Sequence, residues 1–255
     1  VEVTEAQVRL HEQLYGPDHP ATAQAINDLA VSYDRATRDA QALAASERAL
    51  AIRQRALGAD HPDTMMSLRN VAISRRRAGH AAEALPLYRT VADTYAKSLG
   101  ELNARAIGSF DEIGNPLLDL GRVDEARRLR RAVATRYERA IAQPNADPVL
   151  FDEFATFLFD TEPEDLRDTT KAVAMARRAV ELTKRQDFGM LRTLALALEA
   201  NGDRVAALEV AREASATAGG LTSFVTESMV VRLTAATAPD QVEPWLRARL
   251  ERLRR

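Results

Sequence analysis

Along this chain the large apolar side chains recur at intervals of three and four residues. Ile26, Leu29, Ala30 and Tyr33 form one such stripe, and Leu68, Val71 and Ala72 form another. That spacing gathers apolar groups on one face of a helix. The apolar-polar alternation of a half-buried strand is missing. Helices are predicted over residues 3–15, from Pro20 through Tyr33, and over 40–57, 62–78 and 81–99. Val8, Leu10 and Leu14 supply the apolar side of the first, and Leu43, Ala49, Leu50 and Ile52 that of the third.

Two six-residue stretches punctuate the pattern: Gly16-Pro17-Asp18-His19-Pro20-Ala21 and Gly58-Ala59-Asp60-His61-Pro62-Asp63, 42 residues apart. A third stretch in the same register keeps Gly100 but has Asn103-Ala104 in place of His-Pro. Glycine just past a helix takes up a left-handed conformation without steric cost. Proline at the first helical position loses only an amide that has no helical partner anyway. A fixed period of this size is the signature of stacked helix hairpins. In that register residues 3–15 are the second helix of a repeat whose first helix is missing, which predicts a longer parent chain.

A third repeat carries Phe110, Ile113-Gly114, Gly121, Ala126 and Val133. Asn115-Pro116 falls within its first helix, where proline removes a hydrogen bond and crowds the preceding turn, so either a kink or a restart at Pro116 is expected. Residues 143–148 form a break, with Asp147-Pro148 capping and starting the next helix. Two further repeats follow. One has Phe151, Phe154-Ala155, Leu158, an insertion at 162–167, and Ala172, Ala176 and Ala179. The other has Leu191, Leu194-Ala195, Leu198, Asn201-Gly202, Ala207 and Ala214. Gly219-Gly220 ends the array. The tail then has a segment over 223–234 and a final helix from Asp240, with Asp240 and Glu243 at capping-box spacing. Arg247, Arg249, Arg252, Arg254 and Arg255 would give it the polar outer face a terminal element needs. The expected organisation is an array over 1–142, two further repeats over 143–220, and capping helices over 221–255.

The spacing resembles the tetratricopeptide repeat, in the 42-residue form found in kinesin light chains. The second repeat supplies its large, large-small, turn-glycine, small-aromatic-small pattern with Leu68, Val71-Ala72, Gly79, Ala84, Tyr88 and Val91. The first matches through Ile26, Leu29-Ala30, Tyr33, Ala42 and Ala49, with Thr37 at the glycine position. The resemblance implies an all-α superhelical solenoid of about twelve helices in antiparallel pairs, with first helices lining the concave face. The stretch from Phe154 to Arg185, with its Glu162-Pro163-Glu164-Asp165-Leu166-Arg167-Asp168 insertion, resembles something narrower. It is similar to the C-terminal repeat region of bacterial proteins that carry an N-terminal serine/threonine kinase domain. That resemblance implies a sensor or docking arm.

Composition narrows the functions. Lys and Arg number 35 against 37 Asp and Glu, which argues against a nucleic-acid partner. The chain has no cysteine, so disulfides and thiolate metal sites are excluded and a cytoplasmic setting is expected. No stretch of about 18 apolar residues exists to span a membrane, and no basic-then-apolar leader is visible.

Catalytic chemistry finds little support. There is no glycine-rich phosphate loop and no His-Arg-Asp or Asp-Phe-Gly. His19 and His61 each stand beside a helix-starting proline, which favours a structural role over metal binding. Asp111-Glu112 and Asp152-Glu153 are neighbouring acids that point apart on a helix, which favours a solvated face over acid-base work. No catalytic, cofactor or metal site is predicted. The binding candidates are Arg69, Ile73, Arg76 and Arg77, with Asp111, Asn115 and Asp119 one repeat on. Arg69, Ile73 and Arg76 are spaced i, i+4, i+7 and share a face. Two readings stand: the basic and acidic strips pair with each other or with water, or they form a groove that a peptide enters in one direction.

The function expected is a non-catalytic module that binds a protein or peptide on its concave face, as the interaction or regulatory arm of a larger bacterial signalling protein. A partner with an acidic segment is favoured. The alternatives are a free-standing adaptor, or the sensor region of a repeat-linked NTPase or protease of a defence system. Self-association is left open.

Overall fold

The structure is a computed structural model, and it describes residues 1–217 and 222–237. Every regular element among them is helical. The final helix predicted from Asp240, with its arginine run, lies outside the described residues.

The chain forms two compact units, 1–136 and 137–255. In the first, α1 (Glu2–Tyr15), α2 (Pro20–Arg35), α3 (Asp39–Leu57), α4 (Pro62–Arg77) and α5 (Ala81–Leu99) each pack on the next, followed by α6 (Ala104–Glu112) and α7 (Gly114–Asp119). The unit boundary falls within α8 (Val123–Ile141). In the second unit α9 (Pro148–Asp160) packs on α10 (Thr169–Leu182), α11 (Phe188–Ala200) on α12 (Arg204–Thr217), and α12 on α13 (Thr222–Thr237). Connections of a few residues between packed neighbours make them antiparallel hairpins. The expected insertion is a single 3-10 turn, Glu164–Leu166, tied down by Arg167 through the carbonyl of Thr161 and the carboxylates of Glu162 and Glu164.

The repeated His-Pro stretch is explained by its atoms. His19 Nδ1 accepts from the Ala21 amide and His61 Nδ1 from the Asp63 amide, each at 3.1 Å. Each histidine caps a helix whose first residue is proline, and Asn103 does the same work on the Arg105 amide at 3.0 Å. The histidines are therefore structural. Gly16, Gly58 and Gly100, at φ 93°, 90° and 92°, end the preceding helices.

The core is built from small residues at helix crossings and larger ones between repeats. Ala72 and Ala195 are fully buried. In the first unit Ala72, Ala84, Leu85, Tyr88 and Ala92 of the second repeat pack with Ile113, Leu117 and Ala126 of the third. On α1 only Val8 is buried, while Leu10 and Leu14, expected inside, are 52% and 64% exposed. Leu10 stands 42 positions before Ile52, which is buried with Ile26 and Leu29 of α2. Nothing among the described residues covers that face of α1.

The first helix of the third repeat is interrupted. α6 ends at Glu112, Ile113 makes a turn, and α7 starts at Gly114, two residues before Pro116. The break lies upstream of the proline because proline's missing amide and its ring disturb the turn before it. This division brings the helices among the described residues to thirteen.

Candidate functional site

The first helices α2, α4 and the α6–α7 pair lie side by side, joined by a ladder of polar contacts with a constant offset. Asn70 donates to Asn27, Arg69 binds Glu112 and Arg76 binds Asp119, each pair 43 positions apart. Arg77 and Asp34, at the same offset, lie 3.5 Å apart. An offset that stays fixed along two helices means that they run parallel, one repeat apart plus one residue.

Below the ladder lies a buried polar layer. Arg53 of α3, only 2% exposed, donates to the Asp63 carbonyl at 2.9 Å, to Ser67 Oγ at 3.1 Å and to Gln24 Oε1 at 2.6 Å. Burial pushes its pKa down, against the opposing pull of Asp63 and Asp28. Asn27 also donates to Ser67, at 2.9 Å. One guanidinium thus ties α3 to the first helices of two repeats. The equivalent positions one and two repeats later are the buried Tyr95 and Tyr137.

The sequence candidates divide into two sets. Arg69 grips Glu112 with Nε and Nη2, and its pKa is raised by that hydrogen bond. Arg76 reaches Asp119 at 3.0 Å. Basic and acidic strips are thereby stitched together, with Glu112 as the first acid of the ladder. Asp111 and Asn115 instead meet Arg130 of α8, whose Nε donates to Asp111 Oδ1 at 3.1 Å and whose Nη2 donates to Asn115 Oδ1 at 2.8 Å. Arg130 is 3% exposed and lies against Gly114, where an added Cβ would come within 2.6 Å of Nε. A 42-residue register picks out Asp111; the 43-residue offset of neighbouring parallel helices picks out Glu112, and that extra residue is the signal which would have found it.

Between α2 and α4 the ladder frames a cavity of about 240 Å³. Ala30, Val31 and Ile73 give it apolar sides, while Asp34, Asn70 and Arg77 give it polar ones. Asp34 was not singled out by the sequence. Its side chain is 13% exposed, and its buried Oδ1 has no hydrogen-bond partner. Burial raises its pKa from the ordinary aspartate value, and Arg77 only partly offsets this.

The second unit has a smaller polar feature on the same kind of helix. Burial raises the pKa of Asp152 of α9 from its ordinary value, with a hydrogen bond from Thr193 of α11 pulling the other way. No group of three or more His, Cys, Asp or Glu suited to a metal ion occurs among the described residues. No described helix is long and apolar enough to cross a membrane.

A tetratricopeptide repeat family model matches residues 5–55 and 36–97. No curated protein matches the chain. Among solved structures, a putative kinesin light chain with nearly identical TPR-like repeats from Podosopora anserina is 22% identical, covering 78% of this chain and 96% of its own, with a TM-score of 0.45. BtubC (BKLC) from P. vanneervenii is 15% identical over 84% of this chain and 86% of its own, with a TM-score of 0.48. The TPR2AB domain of yeast Sti1, in its pHSP90 complex, is 14% identical over 88% of this chain and 98% of its own, with a TM-score of 0.33.

Proposed function

We propose that this chain, a tetratricopeptide-repeat protein by its residues 5–97, is a non-catalytic module that holds a protein or peptide against the first-helix face of its first unit. The observation that carries this reading is the cavity between α2 and α4, set in a row of charged side chains that are only partly covered. Arg69, Arg76 and Arg77 have side-chain exposures of 39%, 28% and 48%, so each can still be reached by a ligand. Arg69, Ile73 and Arg77 border the cavity. Arg76 with Asp119 extends the same row onto α7, and Asp111 and Asn115, held by Arg130 of α8, are proposed to flank it.

A partner bearing an acidic segment suits this face. Part-exposed ion pairs contribute only about 0–1 kcal/mol each, so a ligand's carboxylate can exchange with an internal one at small cost. Guanidinium groups also take carboxylates with two parallel hydrogen bonds, which lysine cannot copy.

The test is capture from the native lysate by the wild-type chain and by a triple variant, Arg69→Gln with Arg76→Gln and Arg77→Gln. The variant, checked for an unchanged helical spectrum, is expected to lose its partners or to bind them with weaker salt dependence. Retention of the same partners at the same salt sensitivity would move the site elsewhere.

The setting favoured for the module is the interaction arm of a larger bacterial signalling protein in the cytoplasm. The support is the 162–168 insertion between α9 and α10, where kinase-associated repeat regions carry a similar stretch.

A further inference from the structure

We propose that Asp34 is a built-in competitor for the ligand: its carboxylate occupies Arg77, the guanidinium that an acidic side chain of the partner takes on entering the cavity between α2 and α4. The inference rests on the binding face proposed above and adds a means of regulating it.

The three arginines of the ladder are not held alike. Arg69 grips Glu112 through two nitrogens, and Arg76 meets Asp119 at 3.0 Å. Arg77 has a single contact, Asp34 Oδ2 at 3.5 Å, outside good hydrogen-bond range, and it is the most exposed of the three. Arg77 is thus the cation most easily given up, and it borders the cavity.

Asp34 is the matching weak point. It is largely withdrawn from water, yet one oxygen has no donor. A buried carboxylate with one loose cation and one empty acceptor is costly to keep ionised. The charged groups around it are few. From α4 come Arg77 and, across the cavity, Arg69. From the start of α3 comes Asp39, which disfavours the charge, and Arg35 lies on its own helix. On α1, Glu5 is engaged by the neighbouring Tyr33. No histidine lines the cavity.

When a ligand carboxylate takes Arg77, Asp34 loses its cation and faces a second negative charge. It then takes up a proton, becomes neutral, and can donate to the incoming carboxylate. Binding therefore consumes up to one proton and tightens as pH falls, as long as the ligand stays ionised.

The test uses hexaglutamate with blocked ends, titrated onto the full chain between pH 7.5 and 5.5, with hexalysine as the control of opposite charge. Wild-type affinity should rise as pH falls, by about three- to fivefold for an ion pair of this exposure. Asp34→Asn should bind about that much more tightly at pH 7.5 and show a flat profile, although all four histidines remain. Arg77→Gln should bind weakly at every pH. Melting curves establish that both variants are folded. If hexaglutamate binds the wild type but Asp34→Asn neither tightens nor flattens the profile, the competitor role is wrong and the binding face stands. If neither wild type nor Asp34→Asn binds hexaglutamate, or hexalysine binds as well, the acidic-partner reading itself is wrong.

Discussion

Thr37 sits at φ 54°, where the corresponding positions one and two repeats later are Gly79 and Gly121, at φ 85° and 70°. A left-handed backbone costs an L residue roughly 1–2 kcal/mol, and the branched Cβ of threonine makes it an outlier even among those. Glycine removes that strain but gains freedom in the unfolded chain, worth roughly 0.5–1 kcal/mol the other way. Thr37 also donates to the Ala36 carbonyl at 2.7 Å, a local bond that adds little because water can replace it. The balance predicts that Thr37→Gly stabilises the protein by about 0.5–1 kcal/mol, raising the melting temperature by about 1–4 °C. An unchanged or lower melting temperature would mean that the first repeat's turn is adapted to threonine. The residue scale is also where the sequence was hardest to read. A buried arginine such as Arg53 looks, in a string of letters, like any solvated arginine on a helix. Its burial depends on Gln24 and Ser67, which come from two other helices. Arg130 is hidden in the same way, because its place against Gly114 is made with Asp111 of α6 and Asn115 of α7.

At the scale of elements, helix ends and crossings were legible because each rests on local chemistry. The His-Pro and Asn-Ala stretches mark helix starts, the glycines mark helix ends, and the 42-residue period aligns them. The close crossings use alanine, since Ala72 and Ala195 have no exposed surface. A leucine at either place must push two helices apart or leave its preferred rotamer, at a cost of roughly 1–3 kcal/mol. Ala72→Leu and Ala195→Leu are each expected to lower the unfolding free energy by that amount, seen as a lower denaturation midpoint with little change in the slope of the transition. Parent-like melting in both would mean that the helices are not packed as closely as the fully buried alanines imply. What stayed illegible at this scale was the relation between helices not consecutive in sequence. The period aligns equivalent residues, whereas touching residues are offset by one more position, a consequence of how neighbouring parallel helices are staggered. That single residue moved the acid of the Arg69 pair from Asp111 to Glu112.

Over the whole molecule, a repeat array owes its stability to each repeat and its contacts with immediate neighbours, so a piece cut between units can stand alone if it keeps its own interfaces. The first unit meets that condition. The ladder that joins α2 to α4 and α4 to α6–α7 lies wholly within residues 1–136, as do the apolar clusters around Ile26, Tyr88 and Tyr95. A cut at residue 136 would sever α8, which runs to Ile141, and would leave its last turns without helical partners. A cut after residue 142 keeps α8 whole and coincides with the boundary proposed from the sequence. The fragment 1–142 is therefore expected to melt in one cooperative transition and to bind blocked hexaglutamate with the same pH dependence as the full chain, since Asp34, Arg69 and Arg77 all lie inside it. Far-ultraviolet circular dichroism and the same titration check both points. A fragment without a cooperative melt would show that the first unit leans on residues beyond 142. A folded fragment that has lost hexaglutamate binding would place part of the binding surface beyond residue 142.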